Sequence, residues 1–186
     1  MSRIGRAPIE LPNGVTVDQT VEGDVIVTGP KGTLRQYVAP CIKITKGEHN
    51  EKPAIILTRD SDDKEVRAKH GLYRALLANM VKGVTEGYTK SLTVAGVGYK
   101  IAVSGNKLTM NLGLSHPVTV TVPEGLTVTC PNATDIVVAG INKEQVGQFA
   151  ADIKAIKPVE PYHGYGIHYT NETVRRKEIK KGTKKK

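Results

Sequence analysis

The sequence predicts an α+β protein of two similar small domains. Each is an antiparallel-rich β-sheet packed against one helix, with extended basic segments at the N- and C-termini. Three observations carry that prediction. Short runs in which Val, Ile or Leu alternate with Thr and other polar residues recur along most of the chain, the period-two mark of half-buried strands. After Asp63 and again after Asn142 the apolar spacing changes to three and four residues, the mark of a helix with one buried face. Two hexapeptides also recur in one ungapped register. Pro12-Asn13-Gly14-Val15-Thr16-Val17 answers to Pro123-Glu124-Gly125-Leu126-Thr127-Val128, and Asp24-Val25-Ile26-Val27-Thr28-Gly29 to Asp135-Ile136-Val137-Val138-Ala139-Gly140. Several second-half strands precede the matching segment, so the two modules are expected not to be simple tandem copies.

The elements follow in order. Residues 1–14 are basic at Arg3 and Arg6 and punctuated by Pro8, Pro12 and Gly14, and read as an extended arm. Strands are predicted at 15–17, 24–28, 33–38, 42–46 and 54–58, with Gly29-Pro30-Lys31-Gly32 as the turn between the second and third. The run Asp60-Ser61-Asp62-Asp63 is a solvated loop before a helix whose buried stripe is Val66, His70, Tyr73, Leu76 or Leu77, and Met80; Gly83 is its expected C-cap. Further strands are predicted at 91–95, 99–104, 107–112, 118–122, 127–129 and 135–139. The second helix spans 143–156, with Asn142 as N-cap and Lys157-Pro158 as its stop.

Composition excludes several function classes. Aromatic residues make up 4% of the 186, with no Trp and one Phe, so each core must be aliphatic and of modest area. No apolar run approaches the roughly 18 residues a membrane-spanning helix needs, and no signal-type segment opens the chain. Cys41 and Cys130 lie far apart without metal-type spacing and read as small half-buried thiols. No HExxH, GxSxG or clustered DxD pattern appears, so no catalytic residue is assigned. His70 lies on an apolar helix stripe and reads as a core or interface histidine. Gly29-Pro30-Lys31-Gly32 lacks nucleotide-loop spacing, and Gly96-Val97-Gly98-Tyr99-Lys100 sits between strands, so both read as hairpin turns or bulges. His163 and His168 lack further ligands nearby, so no metal or cofactor is assigned.

The C-terminus carries the positive signal. The chain holds 27 Lys and Arg against 18 Asp and Glu, a net of +9. From Asn171 onward eight Lys or Arg stand against two Glu, so about two thirds of the excess charge sits there. Such a block is solvated and disordered until a polyanion neutralises it, and nucleic acid is the usual partner. Ahead of it Tyr162, His163, Tyr165, His168 and Tyr169 interleave with Gly164 and Gly166. Rings offer stacking faces and glycines allow close backbone approach to a ligand. A tail serving only solubility has no need of that interleaving. The candidate RNA-binding residues are Arg3, Arg6, Lys100, Tyr162, His163, Gly164, Tyr165, Gly166, His168, Tyr169, Arg175, Arg176, Lys177, Lys180, Lys181, Lys184, Lys185 and Lys186. The chain divides into 1–82, a first domain with the N-terminal arm; 83–160, a second domain; and 161–186, the tail.

These segments together resemble the L6 family of bacterial large-subunit ribosomal proteins (universal uL6), and the likeness covers nearly the whole chain. It rests on Ser2-Arg3-Ile4-Gly5-Arg6-Ala7-Pro8, Gly29-Pro30-Lys31-Gly32, the helix segment 74–84, Gly96-Val97-Gly98-Tyr99-Lys100, Ser115-His116-Pro117 and the tail in their order and spacing. The resemblance implies two similar α+β domains, a cytoplasmic place on the ribosome, and binding to 23S rRNA near the sarcin–ricin region. It also implies neighbouring large-subunit proteins at the base of the factor-binding stalk as partners, with no membrane and no small-molecule substrate. The family's tail frame carries cations where this chain has His163, Tyr165 and His168. Neutral His and Tyr supply no permanent charge, so either the histidines titrate against phosphate or the distal lysines carry more of the binding. The rival class is a protein–protein interaction module with an ancillary polybasic tail; a nucleotide-handling enzyme rests on the glycine turns alone.

Overall fold

The computed structural model of the chain describes residues 3–20, 22–49 and 52–178. The chain divides into two compact units. One holds the residues up to Tyr88 together with Ile141–Lys143; the other holds Thr89–Gly140 and the residues from Glu144 onward.

The first unit runs α1 (Arg3–Arg6), β1 (Ile9–Glu10), β2 (Thr16–Gln19), β3 (Asp24–Gly29), β4 (Gly32–Tyr37), β5 (Ile42–His49), β6 (Lys52–Arg59) and α2 (Lys64–Thr85). Strands β2, β3 and β4 form an antiparallel meander, and β6 lies between β1 and β5 in a second antiparallel sheet. Val25, Val27, Ile55, Leu77 and Val84 are fully buried in the core that the sheets share with α2. The predicted extended arm instead opens with a helical turn, α1. The reason is tertiary. Gly5 lies on the His70 ring, where a Cβ would come within 2.4 Å of Nδ1, and Arg74 donates to the carbonyls of Ala7 (3.1 Å) and Pro8 (3.2 Å). His70 is a core histidine, 3% exposed, its Nε2 3.0 Å from the Leu57 carbonyl. A carbonyl only accepts, so Nε2 carries the hydrogen.

Helix α2 outruns its predicted end. Gly83 is buried within the helix, and its missing side chain leaves room for the Ile141 carbonyl, which a Cβ would meet at 2.1 Å. Termination falls at Gly87 (φ 81), whose N–H, like that of Glu86, returns to the Lys82 carbonyl. A left-handed glycine after the last turn is the usual C-terminal stop; Gly87 fills that role, and Gly83, the expected cap, serves packing instead.

The second unit is built from β7 (Tyr88–Ala95), β8 (Lys100–Ser104), β9 (Lys107–Asn111), β10 (Val118–Thr121), β11 (Leu126–Asn132), β12 (Asp135–Gly140), α3 (Lys143–Ile156) and β13 (Gly166–Tyr169). Strands β8, β9 and β10 form a meander, and the other sheet has the order β11-β12-β7-β13. Leu92, Leu108, Met110, Ile136, Ile153 and Ile167 are fully buried.

Strand order shows that the units are tandem copies, correcting the expectation from the hexapeptides. In each, a lone strand (β1, β7) precedes a three-stranded meander, then a hairpin whose second strand (β6, β12) pairs with the lone strand, then a helix. The matching hexapeptides fall on β2–β3 of one meander and on β11–β12 of the other kind of sheet. They look alike because the two hairpins share local geometry. Gly14 (φ 87) and Gly125 (φ 82) precede each, Val17 faces Val27 as Val128 faces Val138, and Val25 and Val27, like Ile136 and Val138, point inward.

Cys41 and Cys130 are free and half-buried, and burial pushes the Cys130 thiol pKa up, away from reactivity. Among the described residues no helix is long and apolar enough to cross a membrane.

Candidate nucleic-acid interface

The segment after α3 folds back onto its own unit. Lys157 accepts from the Ile167 N–H (2.8 Å), Glu160 donates its N–H to Tyr165 (2.8 Å), and Gly164 donates to Glu160 (3.1 Å). Strand β13 then pairs antiparallel with β7, placing Ile167 opposite Val94 and Tyr169 opposite Leu92. Ile167 is fully buried. The tail was expected to stay solvated and disordered without a polyanion, yet its first part is a core-forming strand.

The glycines serve this folding. Gly166 (φ 140) lies so close to the preceding segment that a Cβ would come within 2.7 Å of the Pro158 carbonyl oxygen. At Gly164 (φ 78) the space of a side chain is taken by the Arg176 guanidinium, whose Nε would lie 2.7 Å from a Cβ. The close approach read from sequence is therefore made by the chain itself. Lys177 fixes the same region by donating its N–H to the Pro161 carbonyl at 2.8 Å.

The rings divide into two sets. Tyr169 is half-buried, with the ammonium groups of Lys154 and Lys90 at 4.8 and 5.5 Å from its ring centroid. Glu172 receives Lys154 Nζ at 2.6 Å and the Tyr169 N–H at 3.2 Å; the lysine hydrogen bond first, then the backbone one, lowers its carboxyl pKa. His168 belongs with this inner set, since its Nδ1 is shielded from solvent without a hydrogen-bond partner. Tyr162 and Tyr165 are 47% and 39% exposed. His163, also exposed, stacks on Tyr165 with ring centroids 5.6 Å apart and planes 18° apart, and its Nδ1 lies 3.3 Å from both oxygens of Glu160.

Arg175, Arg176 and Lys177 are exposed beside this turn. Lys100 is exposed at the start of β8 in the same unit, whereas Arg3 and Arg6 are exposed on α1 of the first. Lys180, Lys181, Lys184, Lys185 and Lys186 lie outside the described residues. Sequence reasoning did not single out Lys90 and Lys154; pairing of β13 with β7 sets Tyr169 beside Lys90, and Lys154 reaches the same ring from α3. An open groove lined by Lys154, Val159, Glu160, Pro161, Glu172 and Arg175, among others, runs alongside. Its two carboxylates make it a poor phosphate seat. Among the described residues no three His, Cys, Asp or Glu cluster to hold a metal ion.

Together, the duplicated unit and the folded basic-aromatic turn define a two-domain α+β scaffold carrying a built surface patch. The family model described as Ribosomal protein L6 matches the chain twice, at residues 11–87 and 95–170, and the chain belongs to that family. The two matches follow the tandem strand order rather than the hexapeptide register. Its relatives include the large ribosomal subunit protein uL6 of Clostridium kluyveri, 50% identical over 184 residues, 99% of this chain and 100% of the relative. That of Shouchella clausii is 52% identical over 183 residues (98% and 99%), and that of Roseiflexus sp. 47% identical over 188 residues (98% of each).

Proposed function

We propose that the chain binds 23S rRNA near the sarcin–ricin region and the stalk base, beside neighbouring large-subunit proteins there, chiefly through residues 160–177 of its second unit. As a member of the L6 family, the chain is a structural component of the large ribosomal subunit and not an enzyme. The ribosome sets its cytoplasmic location, and neither a cofactor nor a small-molecule substrate enters this reading.

The observation that carries the RNA reading is the meeting, on one turn, of exposed rings (Tyr162, His163, Tyr165) with Arg175, Arg176 and Lys177. Cations released from phosphates drive such binding, and rings add base contacts. Because this turn is already folded, its ordering entropy on binding is smaller than for a free tail. Lys180, Lys181, Lys184, Lys185 and Lys186 add counter-charge in sequence beyond it, while Lys100, Arg3 and Arg6 are secondary contacts.

Removing residues 171–186 should weaken binding to an rRNA fragment and flatten the slope of log affinity against log salt, by about 0.7–0.9 for each phosphate no longer neutralised. The triple substitution Arg175→Ala, Arg176→Ala, Lys177→Ala should do the same in part. An unchanged slope in both sinks the electrostatic role. Nuclease treatment of isolated large subunits separates the rival: release of the chain supports RNA contact, and retention supports a protein-docking module.

A further inference from the structure

We infer that the stacked His163–Tyr165 pair is a docking face for a single unpaired RNA base, with Arg176 meeting a phosphate that flanks it. The inference rests on the RNA reading above and names the subsite within it.

The pair is a built surface, not a loose one. Tyr165 keeps 39% of its area in solvent. It sits between Gly164 (φ 78) and Gly166 (φ 140), each pressed against the chain's own atoms, so the backbone that carries the ring has no slack. The Tyr165 carbonyl accepts from the Glu160 N–H at 2.8 Å, and the Glu160 carboxylate holds the His163 ring at 3.3 Å. Two near-parallel rings fixed from both sides make a flat π-face at little entropic loss.

Charge sits beside it. The Arg176 guanidinium lies on Gly164, the residue between the two rings, so a phosphate one nucleotide from a stacked base meets a cation. A base inside a duplex has neighbours on both faces, which is why the site takes an unpaired one. Tyr169, further along the segment, is half-buried beside Lys90 and Lys154 and serves as an anchor for β13.

Three versions of the full chain test this: wild type, Tyr165→Leu and Tyr165→Phe. The probes are a single-stranded oligoadenylate and an abasic RNA of equal length, each titrated across a salt series. Wild type should prefer oligoadenylate by about tenfold, the scale of one base–aromatic stack. Tyr165→Leu should erase the preference and leave the salt slope unchanged, whereas Tyr165→Phe should keep both. Tyr165 is exposed, so unaltered circular dichroism in Tyr165→Leu serves as its folding control. A preference that survives Tyr165→Leu, or equal binding of both probes by wild type with a steep salt slope, overturns the docking face and leaves the RNA reading standing. Absence of salt-dependent binding to either probe overturns both.

Discussion

The two units share one strand order but treat one sheet edge differently. In the first, β6 is bordered by β1, a strand of two residues, and that edge ends there. In the second, the equivalent strand β7 is eight residues long, and β13 covers it as a fourth strand. A long bare edge exposes a row of unpaired N–H and C=O groups and invites pairing with another chain. In the first unit the added outer strand is itself too short to offer a long edge, and in the second the C-terminal segment covers the longer strand. The recruited strand also brings the aromatic turn and Arg175, Arg176 and Lys177 onto a rigid unit. A duplicated scaffold thus carries an aromatic and basic surface on one copy through a single added strand.

The comparison can be broken most forcefully at Ile167. Ile167→Ala removes a fully buried side chain of β13 and should destabilise the second unit by about 3 kcal/mol, read as a lower urea midpoint. The 171–178 strap should then be cut faster by protease. An unchanged midpoint would show that β13 adds nothing to the core.

The glycines give a smaller, paired effect. Gly166→Ala combines a positive φ with a Cβ 2.7 Å from backbone and should cost about 2 kcal/mol. Gly14→Ala, in the first unit, also meets a positive φ (87) but nothing within 4 Å, and should cost about 1 kcal/mol. Equal losses would mean that backbone conformation alone, and not contact with the 157–159 segment, keeps Gly166 a glycine.

Glu172 is the mildest test. Its carboxyl pKa is lowered in the folded chain, so its tethering effect is present above the ordinary carboxylate range and is lost as pH falls through the lower folded value. Amide exchange at Tyr169, corrected for its intrinsic rate, should rise on acidification below about pH 4. In Glu172→Gln the protection should be lower at neutral pH and lack this acid-dependent step. The exposed position of Glu172 keeps the effect slight.

Helix α3 matches its predicted 143–156 span because its apolar stripe and Pro158 are both local signals. Strands β3 and β9 were equally legible from alternation. Strand β13 was not, since Gly166-Ile167-His168-Tyr169 holds one aliphatic residue and reads as a loop without its partner β7. Helix α1 was hidden for the same reason, being held by His70 and Arg74, more than sixty residues away in sequence. Of the candidate site, the residue types were readable; which rings face outward was not.

By itself the sequence determined the α+β class, the two long helices, the strand series ahead of each, and the concentration of positive charge in the last residues. Each follows from periodicity or composition, which act over a few residues. The strand order, the tandem relation, the edge that β13 closes and the sorting of His163 and Tyr165 outward from His168 and Tyr169 were decided only by the tertiary structure. Those features depend on hydrogen bonds and packing between segments distant in the chain, and a β-ladder leaves no mark of its partner in the strand it will join.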